Sequence, residues 1–223
     1  MSGYYDDRLS GERLRTCYEL APPRIRQYLE AEIRFVAERL KDAGLALELG
    51  CGYGRVLRGI AGVVSQAVGC DTSRRSLLLA RSYTKPHRNI GVVLTDATRT
   101  GFRSGVFDTV FCVQNGISAF GVDPGQLVSE ALRVTRLGGR VLFSSYSPRI
   151  WEERLAWFRL QAKAGLLGEI DEDRTGDGTI VCKDGFRAGT VTREEFAQLF
   201  ERVGVRPELR EVDESSLFCV ATK

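Results

Sequence analysis

The sequence predicts an α/β fold: a doubly wound, mostly parallel seven-stranded sheet with helices on both faces and an antiparallel C-terminal hairpin. Two observations predict it. Apolar strand patterns alternate with helical patterns through residues 45–147, and two strand patterns without a helix between them close the chain. With 223 residues, of which 43% are hydrophobic, the chain is long and apolar enough for a large core. We therefore expect a single domain over residues 1–223.

Residues 1–44 are expected to form an N-terminal lid and a helix. Pro22 and Pro23 stand where a helix begins, because proline is tolerated in a first turn. Apolar residues then recur at helical spacing until Gly44 gives a stop signal; they are Ile25, Leu29, Ile33, Val36 and Leu40. This helix should pack on the sheet.

A glycine-rich turn opens the predicted core at residues 45–147. The first apolar strand runs into Glu48-Leu49-Gly50-Cys51-Gly52-Tyr53-Gly54. Glycines let the backbone turn tightly and approach a ligand where a Cβ would collide. Glu48 lies inside the strand end, where a buried carboxylate is unfavourable unless hydrogen bonds compensate it. The turn therefore indicates a bound nucleotide-like cofactor.

Polar residues also stand at the ends of the next three predicted strands. They are Asp71 and Thr72 after the second strand, Asp96 and Ala97 after the third, and Gln114 and Asn115 after the fourth. An isolated aspartate after a strand is usually a helix cap or a turn residue. In an open parallel sheet, however, ligands bind beyond the carboxyl ends of the strands, so the ordered set favours one binding site.

The segment from Glu48 to Gly54 resembles the first motif of the class I, Rossmann-like S-adenosylmethionine-dependent methyltransferases. The resemblance covers residues 45–223 and is strongest over residues 45–147. It implies S-adenosyl-L-methionine as the cofactor, with Asp71 at the ribose hydroxyls and Asp96 near the adenine amino group. The implied cofactor-binding residues are Glu48, Gly50, Cys51, Gly52, Gly54, Asp71, Thr72, Asp96, Ala97, Gln114, Asn115 and, from the first helix, Arg24.

Residues 148–191 are expected to form an inserted helix and hairpin on the acceptor side. A helical pattern covers residues 150–167, and an acidic, glycine-rich stretch follows it. Asp184-Gly185 is a strong hairpin turn signal between two short strand patterns at residues 179–183 and 186–190.

Residues 192–223 should close the fold with a helix and two strands. Thr192 and Glu195 fit a capping box for a helix that runs through Val203. Strand patterns at residues 209–212 and 217–221 then resemble the antiparallel hairpin that ends the sheet in that family.

The resemblance implies in-line transfer of a methyl group to an O, N or S atom of a small-molecule acceptor. Alignment of nucleophile, carbon and sulfur provides much of the catalysis, and a general base is needed only for a protonated acceptor. The catalytic residue stays unassigned, with Tyr18, Asn115 and Tyr146 as candidates. Tyr4, Tyr5 and Arg149 are further candidates for acceptor contact. The only histidine, His87, falls at the opposite edge of the sheet and is not expected to be catalytic.

Two other classes of function remain open. A nicotinamide-dependent oxidoreductase would explain the turn and Asp71, but its Gly-x-Gly-x-x-Gly pattern needs a third glycine where Arg55 or Leu57 stands. It would also leave Glu48 and Asp96 unexplained. A non-catalytic cofactor-binding scaffold protein would keep the fold and bind the cofactor without turnover.

Composition limits which classes of binding partner and which cellular compartment we expect for this protein. The net charge of +3 is spread along the chain without a basic block, so a nucleic-acid partner is not expected. The six cysteines form no Cys-x-x-Cys pair, so no metal site is expected, and free thiols suit a reducing, cytoplasmic interior. No apolar run is long enough to predict a membrane span. The acceptor and the oligomeric state, monomer or homodimer, stay open.

Overall fold

The computed structural model describes Tyr4 and residues 8–223, in which helices and strands alternate as expected. The helices are α1 Glu12–Glu19, α2 Pro23–Leu40, α3 Arg55–Ile60, α4 Arg74–Tyr83, α5 Gly116–Ala119, α6 Pro124–Val134, α7 Trp151–Lys163 and α8 Arg193–Glu201. The strands are β1 Leu45–Leu49, β2 Gln66–Asp71, β3 Ile90–Leu94, β4 Phe107–Cys112, β5 Thr135–Tyr146, β6 Ile180–Val181, β7 Arg187–Ala188, β8 Glu208–Val212 and β9 Ser216–Thr222. No helix in this part of the chain is long and apolar enough to span a membrane.

The main sheet has seven strands in the order β3-β2-β1-β4-β5-β9-β8. Strands β1 to β5 pair in parallel, whereas β9 is antiparallel to both of its neighbours, β5 and β8. The fold class predicted from the sequence is therefore confirmed. From β1 the chain adds β2 and β3 on one side of the sheet and then continues with β4 and β5 on the other side of β1. At such a switch point a crevice for ligands forms beyond the carboxyl ends of the strands.

Helices cover both faces of the sheet. Buried apolar side chains of α2, α3 and α4 pack against one face, and those of α6 and α8 pack against the other. Strand β1 lies in the middle of the parallel part, where Glu48 is opposite Gly69 of β2 and Phe111 of β4. The end of β1 is therefore enclosed by neighbouring strands on both sides.

A third apolar cluster lies outside these two layers. It joins α1 and the first half of α2 to α7 and the two-stranded β6–β7 sheet. The indole Nε1 of Trp157 donates to the carbonyl of Cys17 at 2.9 Å, which ties α7 to α1. This cluster brings the N-terminal segment and the insertion together at the ligand-binding edge.

Several local predictions are confirmed, and three differ in extent, among them α8, which ends at Glu201 and not at Val203. Pro23 is the first residue of α2, and the capping box of Thr192 and Glu195 is present. Helix α7 ends at Lys163, four residues before the predicted end. The β6–β7 hairpin has only two residue pairs, because backbone groups around Val181 bond instead to Thr175 and to the segment before it.

Candidate cofactor site

One cavity of about 570 Å³ lies at the carboxyl ends of β1, β2 and β3. The glycine turn and the ends of these strands form one side, which we call the cofactor side. Residues from α1, α7 and the β6–β7 hairpin form the other, which we call the acceptor side. All of the predicted cofactor residues line this cavity except Gly54, Asn115 and Arg24.

The glycine turn needs its glycines for two different reasons. Gly50, Gly52 and Gly54 have φ angles of 72°, 53° and 85°, which side-chain-bearing residues rarely adopt. A Cβ on Gly50 would also lie 2.0 Å from Cζ of Phe120, whose ring covers the turn. Gly54 instead precedes α3 and packs against Ala80 and Thr84 of the next helix and its end. Its role is to start α3, not to line the cavity.

Substitution of Gly50 by alanine is expected to lower both thermal stability and cofactor affinity. The φ of 72° disfavours a Cβ by about 1 kcal/mol, and Phe120 must also move out of contact. Thermal unfolding and calorimetric titration with S-adenosylhomocysteine measure the two effects. Gly62→Ala is the control, because no atom lies within 4 Å of its added Cβ. Equal affinity and stability in both variants would contradict this account of the turn.

Glu48 is buried at the floor of the cavity, with only 4% of its surface exposed. Its Oε2 has no hydrogen-bond partner among the described residues. Burial raises the pKa of the Glu48 carboxyl to about 8, and the nearby Arg55 guanidinium opposes that rise. A buried carboxyl with an unpaired oxygen at a cavity wall fits a cationic or hydrogen-bond-donating ligand group, such as the ammonium of an amino acid.

Asp71 ties the glycine turn to the end of β2. Its Oδ2 accepts a hydrogen bond from the N–H of Gly52 at 2.8 Å, and its Oδ1 accepts one from the N–H of Ser73 at 2.8 Å. These two bonds hold the carboxylate at the cavity wall. Each oxygen of a carboxylate accepts more than one bond, so both are suited to a vicinal diol such as that of ribose.

Asp96 shapes the loop after β3. Its Oδ1 accepts hydrogen bonds from both the N–H and the hydroxyl of Thr98, each at 2.7 Å. Asp96 is therefore a turn residue as well as a lining residue, and both Ala97 and Thr98 line the same part of the cavity. The loop presents backbone groups and a small apolar side chain to a ligand.

Gln114 and Arg55 form a polar junction between the cofactor side and the acceptor side. The Oε1 of Gln114 accepts from the hydroxyl of Tyr18 at 2.5 Å and from Nη2 of Arg55 at 3.0 Å. Arg55 also donates to the carbonyl of Leu29 at 3.2 Å. In the sequence, Arg55 stands out only as a residue that breaks the dinucleotide pattern. In the structure, Arg55 is the first residue of α3, so its positive charge lies directly after the glycine turn.

Glu32 is a second buried carboxyl, and it supports the strand ends behind Gln114. Its Oε1 accepts from the hydroxyls of Ser144 at 2.6 Å and Ser216 at 2.9 Å, and Ser144 Oγ in turn accepts from the N–H of Gln114. Burial raises the pKa of Glu32. Glu32 does not line the cavity, so it has a structural role at β5 and β9.

Two predicted site residues are corrected by their hydrogen bonds. Asn115 is 2% exposed; its Nδ2 donates to the carbonyl of Gly189, and its Oδ1 accepts from Ser145. It therefore holds the chain after β7 and faces away from the cavity. Arg24 pairs with Asp213, at 2.6 Å to its carboxylate, so it is directed to the β8–β9 turn and not to a cofactor carboxylate.

The acceptor candidates divide between the cavity and the surface. Tyr4, Tyr18 and Tyr146 line the cavity. Burial raises the pKa of Tyr146, so its phenol stays protonated at neutral pH. Arg149 pairs with Glu211 and Glu214 outside the cavity, and His87 lies in the α4–β3 connection at the other edge of the sheet. Tyr5 lies outside the described residues.

The N-terminal segment is clasped to the β6–β7 hairpin across the acceptor side. The hydroxyl of Tyr4 donates to Oδ2 of Asp184 at 2.6 Å, and Nη1 of Arg8 donates to the same oxygen at 3.0 Å. Burial and the Asp184 carboxylate raise the pKa of Tyr4 to about 12. Arg13 donates to the carbonyls of Gly165 and Leu166 beyond α7. These contacts close the cavity from the acceptor side.

Solved structures with this fold include methyltransferases. A SAM-dependent methyltransferase from Aquifex aeolicus matches with a TM-score of 0.63 and 14% identity, over 92% of this chain and 96% of that one. The N-methyltransferase NodS from Bradyrhizobium japonicum WM9, in complex with S-adenosyl-L-homocysteine, matches with a TM-score of 0.61 and 15% identity, over 90% and 88% of the two chains. The sheet order and the cavity at its switch point therefore define a class I methyltransferase fold.

Sequence comparison points to the same class. The model of the methyltransferase domain family matches residues 47–143. A malonyl-[acyl-carrier protein] O-methyltransferase of Legionella pneumophila is 29% identical over 147 residues, which are 63% of this chain and 51% of that protein. A ubiquinone biosynthesis O-methyltransferase of Thiobacillus denitrificans is 30% identical over 116 residues, or 51% and 49%. The chain thus spans about half the length of these curated relatives. The chain is therefore similar, in sequence and in fold, to S-adenosylmethionine-dependent methyltransferases.

Proposed function

We propose that this protein transfers the methyl group of S-adenosylmethionine to an O, N or S atom of a small-molecule acceptor. The observation that carries the proposal is that two carboxyl groups, those of Glu48 and Asp71, line the same wall of the cavity. They lie beside a glycine turn in which a side chain on Gly50 would collide with Phe120. Both curated relatives are named O-methyltransferases, which supports oxygen as the accepting atom.

The residues of the cofactor side fit the groups of that cofactor. Glu48 would face the ammonium, Asp71 the ribose hydroxyls, and the loop at Asp96 and Ala97 the adenine. The cation that lines this side is Arg55, which makes it the candidate partner for the cofactor carboxylate in place of Arg24. When bound, S-adenosylmethionine supplies a methyl group activated by a sulfonium.

The acceptor side contributes positioning and exclusion of water. The clasp of Tyr4 and Arg8 on Asp184 and the rings of α7 enclose the space in which an acceptor would lie. No described residue that lines the cavity is a histidine or a lysine. The best acceptors are therefore nucleophiles that lose a proton readily or carry none. The cysteines of this chain are free and buried, which fits a reducing compartment such as the cytoplasm.

Calorimetric titration with S-adenosylmethionine, S-adenosylhomocysteine and NAD tests the proposal. We expect micromolar dissociation constants for the first two and no heat from NAD. Release of S-adenosylhomocysteine in the presence of phenols, carboxylic acids, amines or thiols would then establish turnover. Binding of NAD alone would contradict the proposal. Tight cofactor binding without turnover on any acceptor class would instead favour a scaffold protein.

A further inference from the structure

The acceptor side of the cavity has walls of aromatic rings. Five lining side chains are aromatic and come from α1, the end of β5, α7 and the β6–β7 hairpin: Tyr18, Tyr146, Trp157, Phe158 and Phe186. They pack against one another, with Tyr18 and Trp157 6.0 Å apart and Phe158 and Phe186 5.8 Å apart between ring centroids. Such walls favour a flat, apolar ligand body through stacking and edge contacts.

Gln161 is the polar exception in this wall. It lies one helical turn after Trp157 on α7, lines the cavity and is only 3% exposed. Among the described residues nothing donates to or accepts from its carboxamide, although its backbone carbonyl accepts from Leu166. The carboxamide is not among the solvent-inaccessible unpaired groups of the described residues, so it opens onto the cavity and is available to a ligand group.

Apart from the hydroxyl of Tyr146, whose ring packs on Tyr28, the other polar side chains of this wall already have partners within the protein. Trp157 Nε1 donates to the carbonyl of Cys17, and Tyr18 donates to Gln114. The hydroxyl of Tyr4 is taken by Asp184. An acceptor that enters this side therefore meets one carboxamide with both a free donor and a free acceptor.

Charge that reaches the cavity is confined to its edge. Behind the wall, the buried Arg154 guanidinium lies 4.1 Å from the centre of the Tyr146 ring, and its Nη atoms donate to the carbonyls of Gly178, Ala188 and Gly189. The lining carboxylates, Glu48, Asp71 and Asp96, all belong to the cofactor side, and Arg55 is bonded to Gln114 and Leu29 at the junction. Arg187, the charged residue that the hairpin contributes, is exposed at the mouth. A buried ionic group would find no partner beside Gln161, whereas a neutral hydroxyl or carbonyl would.

Resting on the proposed function, we propose that the acceptor is a planar phenol with a second, uncharged polar group, and that Gln161 recognises that group. The phenolic oxygen bonds to the methyl carbon as the carbon–sulfur bond of S-adenosylmethionine breaks. S-adenosylhomocysteine leaves, and the phenolic proton passes to water. Gln161 is a specificity-determining residue and takes no part in the bond changes.

Binding of four probes, phenol, catechol, resorcinol and hydroquinone, tests this assignment in the presence of saturating S-adenosylhomocysteine. The chain has two tryptophans, so Trp151→Phe leaves Trp157 as the fluorescent reporter inside the acceptor side. We expect at least one diol to bind about tenfold more tightly than phenol. In Gln161→Leu this ratio should fall towards one, while the affinity for phenol and for S-adenosylhomocysteine stays unchanged.

The controls separate this proposal from the proposed function. Gln126→Leu replaces an exposed glutamine of α6 outside the cavity and should keep the diol preference. Gln161→Met serves if the leucine variant does not fold. Tighter binding of benzylamine or propionate than of any diol, or a diol preference that survives in Gln161→Leu or Gln161→Met, would overturn the proposal while cofactor binding stands. Loss of S-adenosylhomocysteine binding in the wild type would instead refute the proposed function.

Discussion

Substitution of Asp71 by alanine is expected to weaken the binding of S-adenosylhomocysteine by about a hundredfold. In the proposed site this carboxylate accepts both ribose hydroxyls, and charged acceptors form the stronger hydrogen bonds. The same substitution removes the acceptor for the Gly52 N–H, so the glycine turn loses the bond that fixes its position. The variant therefore loses both a direct contact with the ligand and the bond that holds the glycine turn against it. Calorimetric titration measures the change in the dissociation constant.

Asp123→Ala is the matched control for Asp71→Ala. Asp123 also accepts a backbone N–H, that of Gly125, but it caps α6 outside the cavity. Its removal should lower stability by about 1 kcal/mol and leave cofactor affinity unchanged. Asp71→Asn, which keeps one side-chain oxygen, should lie between the wild type and Asp71→Ala. If Asp71→Ala binds as tightly as the Asp123 variant, the ribose assignment fails.

Substitution of Glu48 by glutamine is expected to stabilise the ligand-free protein at high pH. Burial raises the pKa of this carboxyl in the folded protein to about 8 from a usual value of 4.5. A raised pKa means that the folded state holds the proton more tightly than the unfolded state. Wild-type stability should therefore fall, relative to the variant, as pH rises from about 4.5 to 8. At about 1.4 kcal/mol per pKa unit the full difference approaches about 5 kcal/mol.

Urea unfolding of both proteins between pH 5 and pH 9 measures this difference. Glu152→Gln, on the exposed side of α7, should show a difference from the wild type that does not change with pH. Saturating S-adenosylmethionine should reduce the pH dependence of the wild type, because its ammonium would stabilise the ionised carboxylate of Glu48. The variant should bind it about tenfold or more weakly at pH 8. A pH-independent difference between Glu48→Gln and the wild type would refute the assigned pKa.

The sheet and the glycine turn could be predicted from the sequence because their signals are local. The alternation of strand and helix patterns and the spacing of Gly50, Gly52 and Gly54 need no knowledge of distant residues. The polar strand ends at Asp71 and Asp96 follow from the same logic, since parallel strands bring their carboxyl ends to one edge.

The choice between equivalent residues could not be predicted. Arg24 and Arg55 are both helix arginines, and only the packing of α2 against the β8–β9 turn and the start of α3 at Gly54 decides which one faces the cavity. Asn115 follows a strand as Asp71 does, but its φ of 60° turns it towards Ser145 and Gly189. The position of Gln161 in the cavity could not be predicted from the sequence, because the acceptor side is formed by segments that lie far apart in the chain.

The position of β9 constrains how the protein assembles during synthesis. Strand β8 is translated before β9, yet its neighbour in the sheet is β9, and β9 must insert between β8 and β5. Until residues 216–222 leave the ribosome, β5 presents an unpaired edge of backbone donors and acceptors. Exposed edges of this kind recruit other strands and promote aggregation. The long-range pairing of β5 with β9 should therefore be a late and slow step of folding.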